Sequence, residues 1–453
     1  MSGAASGAGA GGLLGWWREG TPAARKALLA AALGWMLDAF DVMLFAMVIP
    51  NVIADLGITK TQAGMLGSLA LLAAAGGGIA FGAVSDRFGR TRALMGSVLI
   101  YSVFTGLCAV ATNLWQFGTF RVLLGIGMGG EWASGASLVS EHWPARHRGK
   151  ALGLMQSAWA IGYALAALVT ALLLPVAGWR GVFAVGVLPA LLVVWVRRGV
   201  EEPPMWRARQ RAPRGGHEAG DAGTSAGTGM IVAGEPPRSR DIAAAHEIGA
   251  PAGFGALFHG KLARVTVAVT FMNACTLFGW WGLNQWIPAY LSLSTGQGGV
   301  GVSTTAMAGL VAAMQVGMWL GYVTFGYIGD AVGRKRAYVT YLLAASVLLP
   351  LYGVTRQPLV LLALGPLVAF FGTGYYSGFG AITAELYPTE IRGRAQGFTY
   401  NLGRIASAAA PWIVGSLATS SGFGAAFAVT GAAFLAAAIT WTWIPETRGR
   451  ELA

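Results

Sequence analysis

Twelve long apolar segments run through the 453-residue chain, and they constrain its fold more than any other feature. Each is about as long as the 18 to 20 residues that an α-helix needs to cross hydrocarbon. Only 11% of the residues are charged, whereas a soluble chain carries about 25%. We therefore expect an all-α integral membrane protein. The expected spans are 27–53, 62–84, 92–112, 114–140, 150–174, 179–197, 264–291, 304–328, 336–355, 358–386, 395–418 and 424–444.

One long polar interruption divides these spans six and six. It covers 198–260, is rich in Arg, Pro, Gly and Ala, and has the composition of a disordered linker. We predict a disordered cytoplasmic N-terminus at 1–26, a six-helix bundle at 27–197 and a cytoplasmic linker at 198–260. A second six-helix bundle follows at 261–445, and a cytoplasmic C-terminus at 446–453.

The basic residues are distributed by side. When the loops are assigned alternately to two sides, 26 of the 31 lysines and arginines share the side of the termini and the linker. Such a bias marks the cytoplasmic side, so we expect the cytoplasmic (inner) membrane with both termini inside. The net charge of +12 then indicates contact with the anionic lipid bilayer rather than with nucleic acid. Cys108 and Cys275 have no disulfide or metal spacing, and we expect no metal or cofactor.

Two loops recur with one offset of 244 residues, which indicates an internal duplication. The first loop contains Gly82, Asp86, Arg87, Gly89 and Arg90, and its second copy contains Gly326, Asp330, Gly333 and Arg334. The other loop contains Glu141 and Arg148, and its copy contains Glu385 and Arg392.

These loop residues suit a gate at the cytoplasmic end. Gly82 and Gly89 are expected to permit a tight turn and close backbone approach. Asp86 is placed to accept hydrogen bonds at a helix N-terminus. Glu141 with Arg148, and Glu385 with Arg392, are expected to tie helix ends together by charge-assisted bonds. The alternative is that these charges only orient the chain in the membrane.

The loop pattern G-xxx-D-R-x-G-R resembles that of the major facilitator superfamily, and the resemblance covers essentially the whole chain. The glycine-rich stretch before Glu131 and the segment Pro445-Glu446-Thr447 match as well. The resemblance implies two six-helix bundles that carry a solute by alternating access. The second loop departs from the pattern, since Ala331 stands where the first has Arg87.

Two local motifs resemble particular branches of that superfamily. The segment from Trp35 to Asp41 is similar to an element of acid:proton symporters of the sialate, monocarboxylate or aromatic-acid type. Aromatic-acid members usually have glycine where Ala39 stands, which disfavours that branch. The segment around Arg404 resembles that of organic-ion carriers that accept anions.

Five charged residues fall inside the apolar segments: Asp38, Asp41, Arg121, Glu131 and Arg404. Each costs about 2.5 to 3.5 kcal/mol at the centre of a membrane, so each must face a cavity or another charge. Asp38, Asp41 and Glu131 are candidates for proton coupling, since buried carboxylates change protonation when their surroundings change. The alternative is a static ion pair, for example Glu131 with Arg121.

Arg404 has no acidic neighbour in the membrane part of its own half. A planar guanidinium suits a carboxylate, so we expect the solute to supply one. The alternative is that Arg404 pairs across the halves with an N-terminal acid. The remaining candidates for solute binding are Asn284, Gln285, Trp281, Tyr375, Tyr376 and Arg121, which are polar or aromatic residues within spans.

The leading hypothesis is proton-coupled uptake of a small organic acid by a monomer. The alternatives are a sugar, polyol or other metabolite symporter, a multidrug exporter and, last, a non-transporting membrane sensor. No nucleophile–base pair, metal cluster or nucleotide loop occurs in the sequence, which argues against an enzyme.

Overall fold

The N-terminal half is a bundle of helices joined by short loops. A computed structural model describes residues 15–203 and 254–447. The helices of this half are α1 Gly15–Glu19, α2 Pro22–Leu56, α3 Lys60–Phe88, α4 Arg90–Cys108, α5 Leu114–His142, α6 Ala145–Val185 and α7 Ala190–Gly199.

The C-terminal half repeats this arrangement. Its helices are α8 Gly260–Ser292, α9 Thr304–Val332, α10 Arg334–Val354, α11 Pro358–Thr373, α12 Phe379–Leu386, α13 Thr389–Ser407, α14 Ala410–Ser420 and α15 Gly422–Thr440. Short 3₁₀ helices lie at Phe254–Phe258, Thr295–Gln297 and Gly374–Gly378. All regular elements of the described residues are helical, which confirms the all-α prediction.

Ten stretches are long and apolar enough to cross a membrane, and they account for eleven of the twelve predicted spans. One stretch, 149–199, contains two predicted spans, which meet at Gly178 with φ 62° and ψ −174°. The remaining predicted span, 395–418, is divided between α13 and α14. The segments therefore agree with two bundles of six spans.

Glycines let the helices of each bundle approach closely. A Cβ added to Gly125 or Gly129 on α5 would meet the carbonyl oxygen of Ala70 or Ala74 on α3. The glycine-rich run of span 4 therefore serves helix packing, as small residues do between membrane helices. Gly82 was predicted to permit a tight turn and close backbone approach, but it has neither role. It lies inside α3, and a Cβ there would meet no atom within 4 Å.

The structure adds order at the edges of two predicted disordered segments. Within 1–26, α1 packs the ring of Trp16 on Trp143 at a centroid distance of 5.1 Å, and α2 already begins at Pro22. Within 198–260, α7 extends to Gly199, and Phe254–Phe258 forms a 3₁₀ turn. Residues 1–14, 204–253 and 448–453 lie outside the described part.

We name the two ends of the bundle by their residues. The linker end carries the turns at Gly89 and Gly333 and the residues that flank the linker, and the far end carries Lys60 and the loop 293–303. At the far end the two halves touch directly. Lys60 Nζ donates to Gln297 O at 2.7 Å, and a Cβ on Gly64 would meet the Pro411 carbonyl.

Candidate functional site

A small cavity lies between the two halves. It encloses about 30 Å³, room for roughly one or two water molecules. Solute sites usually measure about 300–1,000 Å³, so this conformation is contracted around the site. Seven of its eleven lining residues are aromatic, namely Trp35, Trp159, Trp280, Trp281, Tyr322, Tyr376 and Tyr400. The remaining four are Met128, Gln156, Leu277 and Arg404.

The aromatic rings touch one another across the boundary between the halves. Trp35 on α2 lies 4.7 Å from Trp159 on α6, measured between ring centroids. Trp159 in turn contacts Trp280 on α8 at 5.4 Å in an edge-to-face arrangement. Toward the linker end, Trp132 on α5 stacks on Tyr400 of α13 at 5.0 Å. These contacts close the cavity on two sides.

Arg404 is the charged residue of the cavity lining. It is 5% exposed, and among the described residues its guanidinium makes no hydrogen bond and no ion pair within 4 Å. Its charge acts on Asp38, which lies in the other half on α2 and is fully buried. Both carboxylate oxygens of Asp38 lack a hydrogen-bond partner. The pair therefore spans the moving boundary without direct contact.

Asp41 has its partners inside its own half. The Thr105 hydroxyl lies 3.2 Å from Asp41 Oδ2 and 2.8 Å from the carbonyl oxygen of Tyr101. One hydroxyl proton serves one acceptor at a time, so both bonds form together only when Asp41 carries a proton of its own. Arg121 is the cation that acts on Asp41, and its guanidinium lies 4.5 Å over the Phe45 ring.

Glu131 faces α2 at a glycine. A Cβ on Gly34 would meet Glu131 Oε1, so the carboxyl group sits directly on the helix that carries Asp38. Both oxygens of Glu131 are buried without a hydrogen-bond partner, and the charge of Asp38 acts on it. Two neighbouring buried carboxylates rarely ionise together, so this pair is suited to holding a proton.

The predicted solute-binding residues divide into two groups. Trp281, Tyr376 and Arg404 line the cavity. Tyr375, one residue from Tyr376, points into the C-terminal bundle instead, where its hydroxyl donates to Thr276 O. This corrects its predicted place, because neighbouring residues of a helical turn face different directions.

Three further candidates lie away from the cavity lining. Arg121 packs within the N-terminal half. Asn284 accepts at its backbone carbonyl from the Tyr163 hydroxyl at 3.0 Å, which joins the halves. Gln285 lies against Gly67, with its Nε2 buried and unpartnered. These three residues were predicted to bind the solute, but in the structure they belong to the contacts around the cavity and not to its lining.

Several lining residues were not predicted from the sequence, above all Tyr322, Tyr400 and Gln156. Tyr400 had a usable signal, since it precedes Arg404 by four residues and so shares its helix face. Tyr322 and Gln156 had none, because only the packing of the halves brings them to the cavity.

The linker end contains two matched ion pairs. Arg90 Nη2 lies 2.8 Å from Glu141 Oε1, and Arg334 Nη2 lies 2.9 Å from Glu385 Oε1. Arg334 also reaches the exposed Asp330 at 3.3 Å. The acids predicted to pair with Arg148 and Arg392 are thus held by arginines of the neighbouring loop. The side chains of Asp86, Arg148 and Arg392 lie outside the described part, and Arg87 is exposed over the Phe88 ring.

Two glutamates complete this network. Glu202 accepts from the backbone N–H of Arg90 at 2.7 Å, at the first turn of α4. Glu446 accepts from the backbone N–H of Arg334 at 3.0 Å, at the first turn of α10. A carboxylate at a helix N-terminus binds unpaired N–H groups and the positive end of the helix dipole. Glu202 was not predicted from the sequence, although it precedes Glu446 by the same 244 residues.

Comparison with known proteins agrees with this architecture. The model of the Major Facilitator Superfamily matches residues 31–314 and 269–453. A putative metabolite transport protein of Haemophilus influenzae is 33% identical, with 94% of this chain and 97% of that protein covered. A probable 4-methylmuconolactone transporter of Cupriavidus pinatubonensis is 32% identical, with 96% and 93% covered.

A sialic acid transporter of Escherichia coli is 31% identical over 93% of this chain and 94% of that protein. Among solved structures, a D-xylose-proton symporter superposes with a TM-score of 0.73 at 20% identity, covering 94% of this chain and 99% of that one. At that identity the likeness concerns the fold.

Proposed function

Because the chain belongs to the Major Facilitator Superfamily, we propose that it carries a small organic carboxylate across the membrane together with a proton. The observation that carries this proposal is Arg404, an unpaired guanidinium in the wall of the cavity between the halves. A guanidinium cannot lose its proton in a protein, so it remains a cation that favours an anion. Its planar fork binds a carboxylate through two parallel hydrogen bonds.

Coupling to a proton follows from the position of Asp38. When the cavity is open to water and holds no anion, Arg404 is the cation that offsets an ionised Asp38. A solute carboxylate that binds Arg404 competes for that cation. In the contracted state Asp38 is fully buried and has no hydrogen bond. An ionised carboxylate without a cation costs several kcal/mol there, so Asp38 takes up a proton before the halves close on the solute. Solute and proton are therefore bound together and released together.

The other two acids have different parts. The groups that act on Asp41, namely Asp38, Thr105 and Arg121, all lie in its own half, so movement of the halves does not separate them from it. Glu131 lies next to Asp38 and can receive or supply its proton. Asp38 is thus the coupling residue, Glu131 its relay and Asp41 a structural acid.

The direction and setting follow from charge. The linker end carries most of the basic residues, which favours a cytoplasmic linker and cytoplasmic termini in the inner membrane. An inward proton gradient then drives uptake. We propose that it works as a monomer in the lipid bilayer, because the two related halves of one chain supply both walls of the cavity.

The test is uptake of labelled carboxylates into proteoliposomes, with and without an imposed pH gradient. We expect accumulation that rises when the outside is acidic. Uptake that does not depend on the pH gradient would contradict proton coupling. If none of the acids were taken up, the proposal of a carboxylate substrate would be wrong.

The Arg404→Lys variant tests the anion site itself. An ammonium keeps the charge but loses the fork, so kcat/KM should fall about ten- to hundred-fold, as expected when a charged hydrogen bond of about 1.5–3 kcal/mol is lost. The matched control is Arg356→Lys, since Arg356 donates to backbone carbonyls at the far end, away from the cavity lining. Equal behaviour of the two variants would overturn the role of Arg404.

A further inference from the structure

The rings that wall the cavity are also the contacts that hold it closed. Trp159 of the N-terminal half touches Trp280 and Trp281 of the C-terminal half at 5.4 and 6.2 Å. Trp132 and Tyr400 form a second contact between the halves, stacked at 20°. About 30 Å³ of free space admits no organic acid, so these ring contacts must part when the solute enters.

The chemistry of the solute decides how well those lost contacts are replaced. A pair of aromatic rings is stabilised beyond the effect of its buried area, because the positive edge of one ring meets the negative face of the other. A planar unsaturated molecule between the parted rings restores such contacts on both of its faces. A saturated, puckered molecule of the same size restores buried area alone.

Two indole groups of the same wall favour a second polar group on the solute. Trp35 and Trp159 are 5% and 2% exposed, and the Nε1–H donor of each is buried without an acceptor. An unsatisfied buried donor is destabilising, and an acceptor on the solute would satisfy it. Arg404 already takes the carboxylate, so this acceptor is a different atom.

We propose that the solute is a planar, unsaturated carboxylate that carries a second hydrogen-bond acceptor, such as a ring nitrogen, a hydroxyl oxygen or a second carboxylate. This inference rests on the proposed function and narrows its substrate class. Ala39, the departure from the aromatic-acid motif, does not oppose it. That residue is fully buried, packs against Gly162 on α6 and lies outside the cavity lining.

The same wall is unsuited to polyhydroxylated acids. Every hydroxyl group that leaves water needs a partner. The two indole groups and Arg404 only donate, so they leave the protons of the hydroxyl groups without acceptors. Gln156 is the one amide among the lining residues, and the Tyr376 hydroxyl already donates to Tyr400 at 2.5 Å. A sugar acid would bury most of its hydroxyl groups against rings.

Matched pairs of acids test the inference by calorimetric binding to the purified full chain in lipid nanodiscs. The pairs are benzoate with cyclohexanecarboxylate and cis,cis-muconate with adipate, and glucuronate represents the polyhydroxylated acids. We expect the planar member to bind about ten-fold more tightly or better, the equivalent of about 1.4 kcal/mol. Saturated members that bind equally well, or tighter binding of glucuronate, would overturn the inference and leave the proposed function standing. If none of the acids binds, the carboxylate function itself fails.

Two conservative variants test the second acceptor. Trp35→Phe and Trp159→Phe keep a ring and remove the N–H donor, so they should reduce the preference for nicotinate over benzoate about five-fold or more, while the affinity for benzoate changes little. Trp115→Phe is the control, because Trp115 is 83% exposed. If both cavity variants kept the full preference for nicotinate over benzoate, the indole groups would have no part in solute recognition.

Discussion

The two halves of the molecule agree at the linker end and differ at the midplane. At the linker end, Gly89 and Gly333 end their helices with φ 115° and 104°, and each is followed by an arginine that binds a glutamate. Glu202 and Glu446 then accept from the backbone at the start of the next helix. Every one of these residues has its counterpart 244 positions away.

At the midplane the same offset joins unlike residues. The counterparts of Asp38, Asp41 and Glu131 are Gly282, Gln285 and Tyr375, and the counterpart of Arg404 is Ala160. Three acids thus belong to one half and the cavity-lining arginine to the other. The distance between Asp38 and Arg404 can change only because they lie on different halves.

The linker end and the midplane meet different requirements of transport. Both halves must turn about the same boundary, so the parts that fix their helix ends can remain identical after a duplication. Coupling needs unlike charges on opposite sides of the boundary, so the midplane has diverged.

Asp38→Asn should have the largest effect on the midplane chemistry. The amide cannot take up a proton, so pH-driven accumulation should fall to the level of liposomes without protein, whereas exchange of solute across the membrane should persist. The measurement is gradient-driven uptake beside counterflow exchange in the same preparation.

Asp41→Asn is its matched control on the same helix. Its acid hydrogen-bonds to Thr105 within one half, so accumulation should remain, and the unfolding temperature should change little because the amide oxygen still accepts from the Thr105 hydroxyl. If Asp41→Asn abolished accumulation and Asp38→Asn did not, the two assignments would be reversed.

Gly89→Ala and Gly333→Ala test the symmetry of the linker end, with an intermediate effect. Each glycine has a positive φ with ψ near 150°, a conformation that costs other residues about 1–3 kcal/mol. A Cβ there would also meet the carboxylate of Glu202 or Glu446. We expect both variants to lower the thermal unfolding midpoint by the same amount.

Gly82→Ala provides the contrast, because Gly82 is helical and has open space for a methyl group. It should be neutral or slightly stabilising, as alanine favours a helix. If Gly82→Ala lowered the stability as much as Gly89→Ala, the effect of these substitutions would not come from the backbone conformation of the glycines.

Much of the fold could be predicted from sequence because its signals are local. Apolar length predicts a span, and a constant offset reveals a duplicated loop without any knowledge of packing. The same offset, subtracted from Glu446, would also have identified Glu202. Gly82 shows the limit, since its place in a repeated motif did not reveal that it lies inside a helix.

The cavity lining was less predictable, because it depends on how each helix is rotated and where it is interrupted. Tyr375 and Tyr376 lie in the 3₁₀ segment Gly374–Gly378, where the turn per residue departs from that of an α-helix. One faces the cavity and the other the bundle core. The electrostatic interaction of Arg404 with Asp38 likewise joins residues 366 positions apart, which no local pattern reports.

Glu202→Gln and Glu446→Gln should have the smallest effects and test the comparison most closely. A glutamine oxygen still accepts from the helix N-terminus but loses the charge, a loss of about 0.3–1 kcal/mol near a helix end. The two positions lie in different halves and accept from the first turns of different helices, so their effects on the unfolding midpoint should be equal and additive in the double variant. Unequal effects would mean that the stability of one half depends more on its helix-end contact. The two halves would then share the geometry of this contact but not its contribution to stability.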